Sequence, residues 1–290
     1  MMQIRAAFDL LVRDLAIAYQ DRGEARSVAR IAFEDLLGVR EPFPNAAFSS
    51  RQQAVFEDLQ RRLLQGEPVQ YVTGQAYFYG EKFEVSPAVL IPRPETEELT
   101  EWAIQILNRG ASASERPQVL DIGAGSGCIS IILKKKFSQA EVWAMDISPS
   151  ALEVAKRNAA VHQAGIRFHL ADLLDSSDWR ELPEADLFVS NPPYIPESER
   201  QNLARRVLDF EPGLALFVPE EDPLRFYRAM GELAQVRLKH GGSLLAECHY
   251  LFAGVVEALW KSQGFGFTEL RKDLSGHQRM VRASRVPFLP

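Results

Sequence analysis

The sequence predicts an α/β protein: a mostly parallel sheet with helices on both faces, an antiparallel terminal hairpin, and a small helical domain in front. Three observations carry this. Short apolar runs alternate with helix-like segments from Pro94 through Leu245, and such alternation gives a parallel sheet covered on both sides. The first of these runs, Val119-Leu120-Asp121-Ile122, leads straight into the glycine-rich turn Gly123-Ala124-Gly125-Ser126-Gly127 and then the helix-like stretch Cys128 to Lys136. Before Pro68 the periodicity is helical instead, since Ile4, Phe8, Leu11 and Leu15, and later Val55, Leu59, Leu63 and Leu64, recur every three or four residues.

Taken in order, residues from about 3 to 66 read as helices, with a loop at 42–50 in which Asn45, Ser49 or Ser50 can cap the next helix. Arg and Asp/Glu are evenly mixed here, as on a solvated helical surface. The pattern then changes. Tyr77-Phe78-Tyr79, Gly80 and Phe83-Glu84-Val85 read as a hairpin, and Val89-Leu90-Ile91-Pro92-Arg93 as an extended linker. Pro94 suits a first helical turn, and Glu95, Glu97 and Glu98 complement the positive end of that helix. Later strands are expected at 142–146, 166–172 and 187–189, and a terminal hairpin at Phe267 to Lys272 and 280–283, joined by Asp273-Leu274-Ser275-Gly276-His277-Gln278. The expected domains are a helical one at 1–74, a hairpin and linker at 75–94, and the sheet domain at 95–290.

Composition narrows the class. A chain of 290 residues with 46% hydrophobic content has material for a sizeable core and favours two domains. Two cysteines, Cys128 and Cys248, exclude a disulfide framework; both fall on elements expected to be buried, and no Cys/His cluster has zinc spacing, so no metal is expected. No apolar run reaches membrane-spanning length, and residues 1–10 mix charge with apolar residues unlike a signal peptide, so a cytoplasmic protein is expected. A net charge of −6 argues against an extended footprint on duplex DNA.

The chemistry is concentrated at strand ends. The glycines of 123–127 let backbone approach a ligand closely. Val142-Trp143-Ala144-Met145-Asp146 ends in an acid about twenty residues further on, where a carboxylate takes a ribose hydroxyl pair. A nicotinamide-dinucleotide site shares both features. What separates the two is Ile166-Arg167-Phe168-His169-Leu170-Ala171-Asp172, a further strand whose final acid can accept from an adenine amino group, with Leu173 beside it. Either acid in isolation would read as a helix cap. The apolar run Leu187-Phe188-Val189 is followed closely by Asn191-Pro192-Pro193-Tyr194. Two prolines stop strand pairing and hold the Asn191 carboxamide oxygen and the Pro192 carbonyl as fixed acceptors beside the Tyr194 ring, a set suited to a planar NH2 group. By itself this tetrapeptide also reads as a strand-terminating turn.

The tetrapeptide resembles the motif of amino-group methyltransferases that use S-adenosylmethionine. The chain as a whole resembles one family, the release factor glutamine methyltransferases (PrmC or HemK), through Gly66-Glu67-Pro68-Val69-Gln70-Tyr71-Val72-Thr73-Gly74, Leu90-Ile91-Pro92-Arg93-Pro94-Glu95-Thr96-Glu97 and the motifs above. Later matches are Phe210-Glu211-Pro212, Phe226-Tyr227-Arg228 and Lys272-Asp273-Leu274-Ser275-Gly276. The resemblance covers roughly residues 66 to 283. It implies a Rossmann-like class I methyltransferase sheet and S-adenosyl-L-methionine as cofactor. The implied substrate is the side-chain nitrogen (N5) of the glutamine in the Gly-Gly-Gln loop of bacterial class I release factors. Asn191, Pro192 and Tyr194 would be catalytic, with Pro193 completing the substrate turn. Gly123, Ala124, Gly125, Ser126, Gly127, Asp146, Asp172, Leu173 and Asn191 would hold the cofactor, Asp121 the loop or the cofactor ammonium, and Arg93, Glu95 and Thr96 would line the same mouth. The N-terminal helices would dock the release factor; neither a membrane nor sequence-specific nucleic acid is an expected partner.

One departure is Glu247-Cys248-His249-Tyr250, where the family more often has Glu-Ile-Gly. No third group is spaced to make Cys248 and His249 a nucleophilic pair, so packing and solvent exposure are expected of them. Three other readings stay open: glutamine methylation of a ribosomal protein, adenine amino methylation of nucleic acid, and a non-catalytic module that keeps the cofactor fold.

Overall fold

A computed structural model of the chain describes residues 2–109 and 116–285, so the outer ends of the expected domains, at 1 and 290, lie outside it. The chain divides into two units. The first is built on helices α1 (Ile4–Tyr19), α2 (Arg22–Leu37), α3 (Ser50–Leu64) and the short α4 (Val69–Thr73). Helix α1 buries Ile4, Ala7, Phe8, Leu11, Val12 and Leu15, one stripe of a 3.6-residue period. Its neighbours close over that stripe with Phe33, Phe48 and Phe56, all fully buried. The helix starts are capped locally. Asp21 accepts from the backbone N–H groups of Gly23 and Glu24 at 2.7 and 3.0 Å. Of the three residues proposed from the sequence, Ser49 is the cap of α3, forming a capping box with Gln52. Two later segments, Val85–Pro87 and Leu203–Phe210, belong to this unit as well. Arg206 in the second of them pairs with Glu24 and lies 5.9 Å over the Tyr19 ring.

The second unit opens with the hairpin β1 (Gln75–Phe78) and β2 (Glu81–Glu84). Tyr79 and Gly80 form its two-residue turn with φ of 54° and 78°, the positive pair that a type I′ turn requires. Tyr79 therefore sits in the turn and not on the strand, where sequence alternation had put it. Its N–H donates to Glu97 Oε1 at 2.7 Å, which holds the non-glycine residue in that conformation. Helix α5 (Pro94–Asn108) follows, with Pro94 in its first turn beside Glu95 and Glu97. Then come β3 (Gln118–Ile122), α6 (Cys128–Lys136), β4 (Glu141–Asp146), α7 (Pro149–Val161), β5 (Ile166–Leu170), β6 (Ala185–Ser190) and the short β7 (Ile195–Pro196). After α8 (Arg205–Phe210), which falls in the first unit, the chain continues through β8 (Phe217–Val218), α9 (Arg225–Arg237), β9 (Leu238–Glu247), α10 (Ala253–Ser262), β10 (Phe267–Lys272) and β11 (Gln278–Ser284).

Seven strands form the main sheet in the order β10-β11-β9-β6-β3-β4-β5. The five strands from β9 to β5 run parallel; β11 pairs antiparallel with β9 and with β10. Because successive side chains of a strand face opposite ways, the central strands feed two cores. Leu120, Ile122, Phe188 and Leu244 join Tyr227, Met230 and Trp260 of α9 and α10 on one face. Val119, Leu187, Val189 and Leu245 join Trp102, Ile131 and Ile132 of α5 and α6 on the other. Chain order reverses between β3 and β6, the point where open α/β sheets place a ligand crevice.

Candidate active site

Parallel register brings the expected residues to one edge of the sheet. Ile122 pairs with Met145 on one side and Ser190 on the other, Asp146 with Leu170, and Ser190 with Ala246. The glycine turn, Asp146, Asp172, Asn191 and Glu247 thus leave the sheet at a common level, on the C-terminal ends of β3, β4, β5, β6 and β9. Ser190 Oγ ties β6 to β3 by donating to the Ile122 carbonyl at 2.7 Å.

The glycine turn needs its glycines. Gly123, Gly125 and Gly127 have φ of 73°, 54° and 79°, a region that side chains disfavour. A methyl group on Gly123 or Gly125 would meet open space, whereas one on Gly127 would come within 3.2 Å of the Ala155 methyl. The first two therefore leave backbone accessible, and the third lets α6 pack against α7. Asp146 braces the turn: its Oδ2 accepts from Gly125 N at 2.9 Å and its Oδ1 from Ser148 N at 2.9 Å. Burial raises its pKa against the backbone donors of Ser148, Gly125 and Ile147. Asp121 is completely buried, with Oδ2 accepting from Ser130 N at 3.1 Å and Oδ1 without a hydrogen-bond partner among the described residues. Burial pushes its carboxyl up to about 7. Asp172 Oδ1 accepts from Leu174 N at 2.8 Å, and Leu173 beside it is buried.

Around the Asn-Pro-Pro-Tyr turn the structure adds a group that the sequence had not assigned a role. Asn191 Nδ2 donates to Thr96 Oγ1 at 2.9 Å, and Thr96 Oγ1 donates to Glu247 Oε2 at 2.7 Å. The other oxygen of the same carboxylate accepts from the Tyr194 hydroxyl at 3.0 Å. Glu247 and Thr96 are 1% and 3% exposed, so neither bond competes with bulk water. Burial raises the Glu247 pKa to about 7, opposed by its bonds from Thr96 and Tyr194. Burial, then the Glu247 charge, push the Tyr194 hydroxyl well above its usual range, so it acts as a donor here. An acid closing the apolar run Leu244-Leu245-Ala246 was the signal for Glu247, by the same strand-end rule that found Asp146. Of the other residues expected at the mouth, Arg93 is paired with Glu211, its Nη2 2.6 Å from Oε1. His249, expected to be exposed, is 7% exposed: the rings of Tyr250 and Phe252 pack on it and Glu199 lies 3.3 Å from its Nε2. Cys248 is buried as expected, and burial raises its thiol to about 12, which leaves no thiolate for nucleophilic chemistry.

Residues 101–210 match the family described as methyltransferase small domain, and residues 12–74 the family described as PrmC N-terminal domain. A protein of Koribacter versatilis named release factor glutamine methyltransferase is 37% identical over 97% of this chain and 98% of its own length. One of the same name from Flavobacterium psychrophilum is 40% identical over 83% of this chain and 84% of its own. The chain belongs to the release factor glutamine methyltransferase family. It also shares its fold with the Thermus thermophilus 16S rRNA N2 G1207 methyltransferase (RsmC), solved with AdoMet and guanosine: TM-score 0.50, 19% identity, 73% of this chain and 50% of that one.

S-adenosylmethionine is the cofactor of this glutamine methyltransferase. The strand-end residues fit that cofactor chemically. An unpartnered, fully buried carboxylate oxygen on Asp121 matches a cationic ammonium, because a buried charge is stable only when paired. Each Asp146 oxygen carries a second lone pair beyond its backbone donor, enough for vicinal hydroxyls. The open backbone at Gly123 and Gly125 admits a ligand at van der Waals distance. Among the described residues no His/Cys/Asp/Glu group could hold a metal ion, and no helix is long and apolar enough to cross a membrane.

Proposed function

We propose that this methyltransferase modifies the side-chain nitrogen (N5) of the glutamine in the Gly-Gly-Gln loop of bacterial class I release factors, in the cytoplasm. The observation that carries the reading is the Asn191 carboxamide. Its nitrogen is engaged by Thr96 Oγ1 at 2.9 Å, so the oxygen is what the side chain offers to a substrate. With the Pro192 carbonyl it forms a pair of acceptors on a turn stiffened by Pro193, and two acceptors suit an NH2 group.

An amide nitrogen is a poor nucleophile because its lone pair is delocalised into the carbonyl. Accepting both N–H bonds, Asn191 and Pro192 hold the nitrogen in one orientation and place fixed dipoles where positive charge develops. When bound, S-adenosylmethionine would supply an electrophilic methyl group on its sulfonium, the C–S electron pair staying with sulfur. One N–H proton then leaves to water; no general base is assigned. Tyr194, anchored by Glu247, walls the amide plane. For the cofactor, the 123–127 backbone would hold the methionine part, Asp121 would pair with its ammonium, Asp146 would take the ribose hydroxyls, and Asp172 with Leu173 would hold the adenine. The helical unit at 1–74 docks the release factor, since one glutamine side chain offers little surface for recognition.

The test is to incubate the protein with methyl-labelled S-adenosylmethionine and a bacterial release factor, and to locate the label by mass spectrometry. Label on the Gly-Gly-Gln glutamine, absent when that motif is changed to Gly-Gly-Ala, is the expected result. Label on a ribosomal protein or an adenine amine instead would overturn the reading.

A further inference from the structure

A buried carboxylate without an ion pair of its own calls for an explanation, because removing a charge from water costs several kcal/mol per ion unless it is compensated. Among the described residues Glu247 is such a group. Arg279, whose charge lowers its pKa, makes its own ion pair with Asp273, Nε to Oδ2 at 2.9 Å. What the Glu247 carboxylate does hold are two hydroxyls, one from α5 and one from the Asn-Pro-Pro-Tyr turn. We propose that Glu247, acting through Thr96, is the positioning residue that fixes which end of the Asn191 carboxamide faces the substrate.

The argument is a count of protons. An ionised carboxylate accepts and cannot donate, so the single hydroxyl proton of Thr96 must point to Glu247 Oε2. Thr96 Oγ1 is then left with lone pairs only, and what approaches it from Asn191 must be the NH2 end. The amide oxygen is thereby turned outward, the orientation that accepts an N–H from a substrate amide. The Tyr194 hydroxyl is bound by the same logic, since it can only donate to Oε1. One carboxylate thus orients both polar side chains of the turn. When Glu247 is protonated it can donate to Thr96, the Thr96 proton can turn to the Asn191 oxygen, and the flipped amide becomes equally satisfied. An outward NH2 then meets the substrate NH2, donor against donor.

The Glu247 carboxyl is pushed up to about 7, so this exchange falls within the working range of pH. The groups that face it are Thr96 and Glu95 on α5, Tyr194 on the turn, Tyr227 on α9, whose hydroxyl donates to the Glu247 carbonyl at 3.1 Å, and Arg279 on β11. Glu95 raises and Arg279 lowers its pKa, and burial outweighs both.

This inference takes the proposed glutamine reaction as its setting, so its test has one arm that needs no substrate. In nitrogen-15 NMR spectra the Asn191 side-chain amide pair is assigned by its absence in Asn191→Ala. Between pH 8 and pH 6 that pair should shift along a single titration, which disappears in Glu247→Gln. In Thr96→Val the hydrogen-bonded signature should be lost, and in Thr96→Ser it should return. The second arm measures methylation of a bacterial release factor. Thr96→Val should lower kcat by about 10- to 100-fold, as expected for a misaligned catalytic group, with KM for the factor within about threefold of wild type. Thr96→Ser should restore the rate, and the acid limb of the wild-type kcat profile should be absent in Glu247→Gln. An Asn191 pair indifferent both to pH and to Thr96→Val would overturn the proposal, as would an undiminished kcat in Thr96→Val. If the pair titrates as described but the wild type transfers no methyl group to the factor, the relay stands and the substrate assignment falls.

Discussion

At Glu247 function and stability pull apart. Its folded pKa of about 7 lies above the ordinary 4.5 because of burial. Between those values the folded state binds more protons than the unfolded one, so stability falls as pH rises through about 4.5 to 7 and stays low above. The shift corresponds to up to about 3 kcal/mol. Glu247→Gln removes the charge and should raise the melting temperature at pH 8 but not at pH 4.5, while methylation is impaired; equal melting curves at pH 8 would show the charge to be harmless. Asn191 makes a different prediction, because the proposed reaction has it hold the reacting amide, and its side chain bonds otherwise to Thr96. Asn191→Ala should lower kcat at least about 100-fold and leave cofactor affinity, read by calorimetry, unchanged. Asp146 holds the glycine turn and is expected to take two ribose hydroxyls, bonds worth about 1.5–3 kcal/mol each when the acceptor is charged. Asp146→Ala should weaken S-adenosylmethionine binding by at least about 100-fold, and wild-type affinity would remove it from the cofactor site.

Single elements show which local signals sufficed. Helix α5 begins at Pro94 and α6 spans Cys128–Lys136, both readable from proline chemistry and from the switch to helical spacing after a glycine turn. Ser49 was one of three cap candidates in the sequence, and the structure selects it through a capping box with Gln52, three residues on. The turn at Tyr79 was not legible: a tyrosine in an apolar run looks like strand, and the carboxylates that hold it in the turn, Glu97 and Glu101, lie eighteen and twenty-two residues away. The short parallel pair β7 and β8 had no sequence signature either, being two residues long and joined by one register. Gly127→Ala tests the glycine turn as an element. A methyl group there adds left-handed strain and a 3.2 Å approach to Ala155, so chemical denaturation should show a loss of about 1–3 kcal/mol. A neutral result would mean that α6 can shift without cost.

For the whole molecule the domain expectation of a cut at residue 74 meets a less simple chain. The helical unit includes Leu203–Phe210 and Val85–Pro87, so removing residues 1–74 strips Arg206 of Glu24 and Tyr19. A chain starting at residue 75 should still bind S-adenosylmethionine, because every cofactor candidate lies at strand ends of the second unit. It should be cut by protease within 203–210, where the full chain is protected, and its methylation of release factor should fall. Equal proteolysis of both forms would show that segment to be held by other contacts.

The sequence alone determined the alternation of strands and helices in the main sheet, the glycine turn, the acids at the ends of β4 and β5, and the Asn-Pro-Pro-Tyr turn, all of which are local patterns spelled by neighbouring residues. Only the tertiary structure decided that Thr96, Asn191, Tyr194 and Glu247 share one hydrogen-bond chain, that Arg93 is spent on Glu211, and that His249 is buried. The hydrogen-bond chain and the Arg93–Glu211 pair depend on residues 53 to 151 positions apart, and no local pattern encodes which distant side chain will supply the missing hydrogen-bond partner.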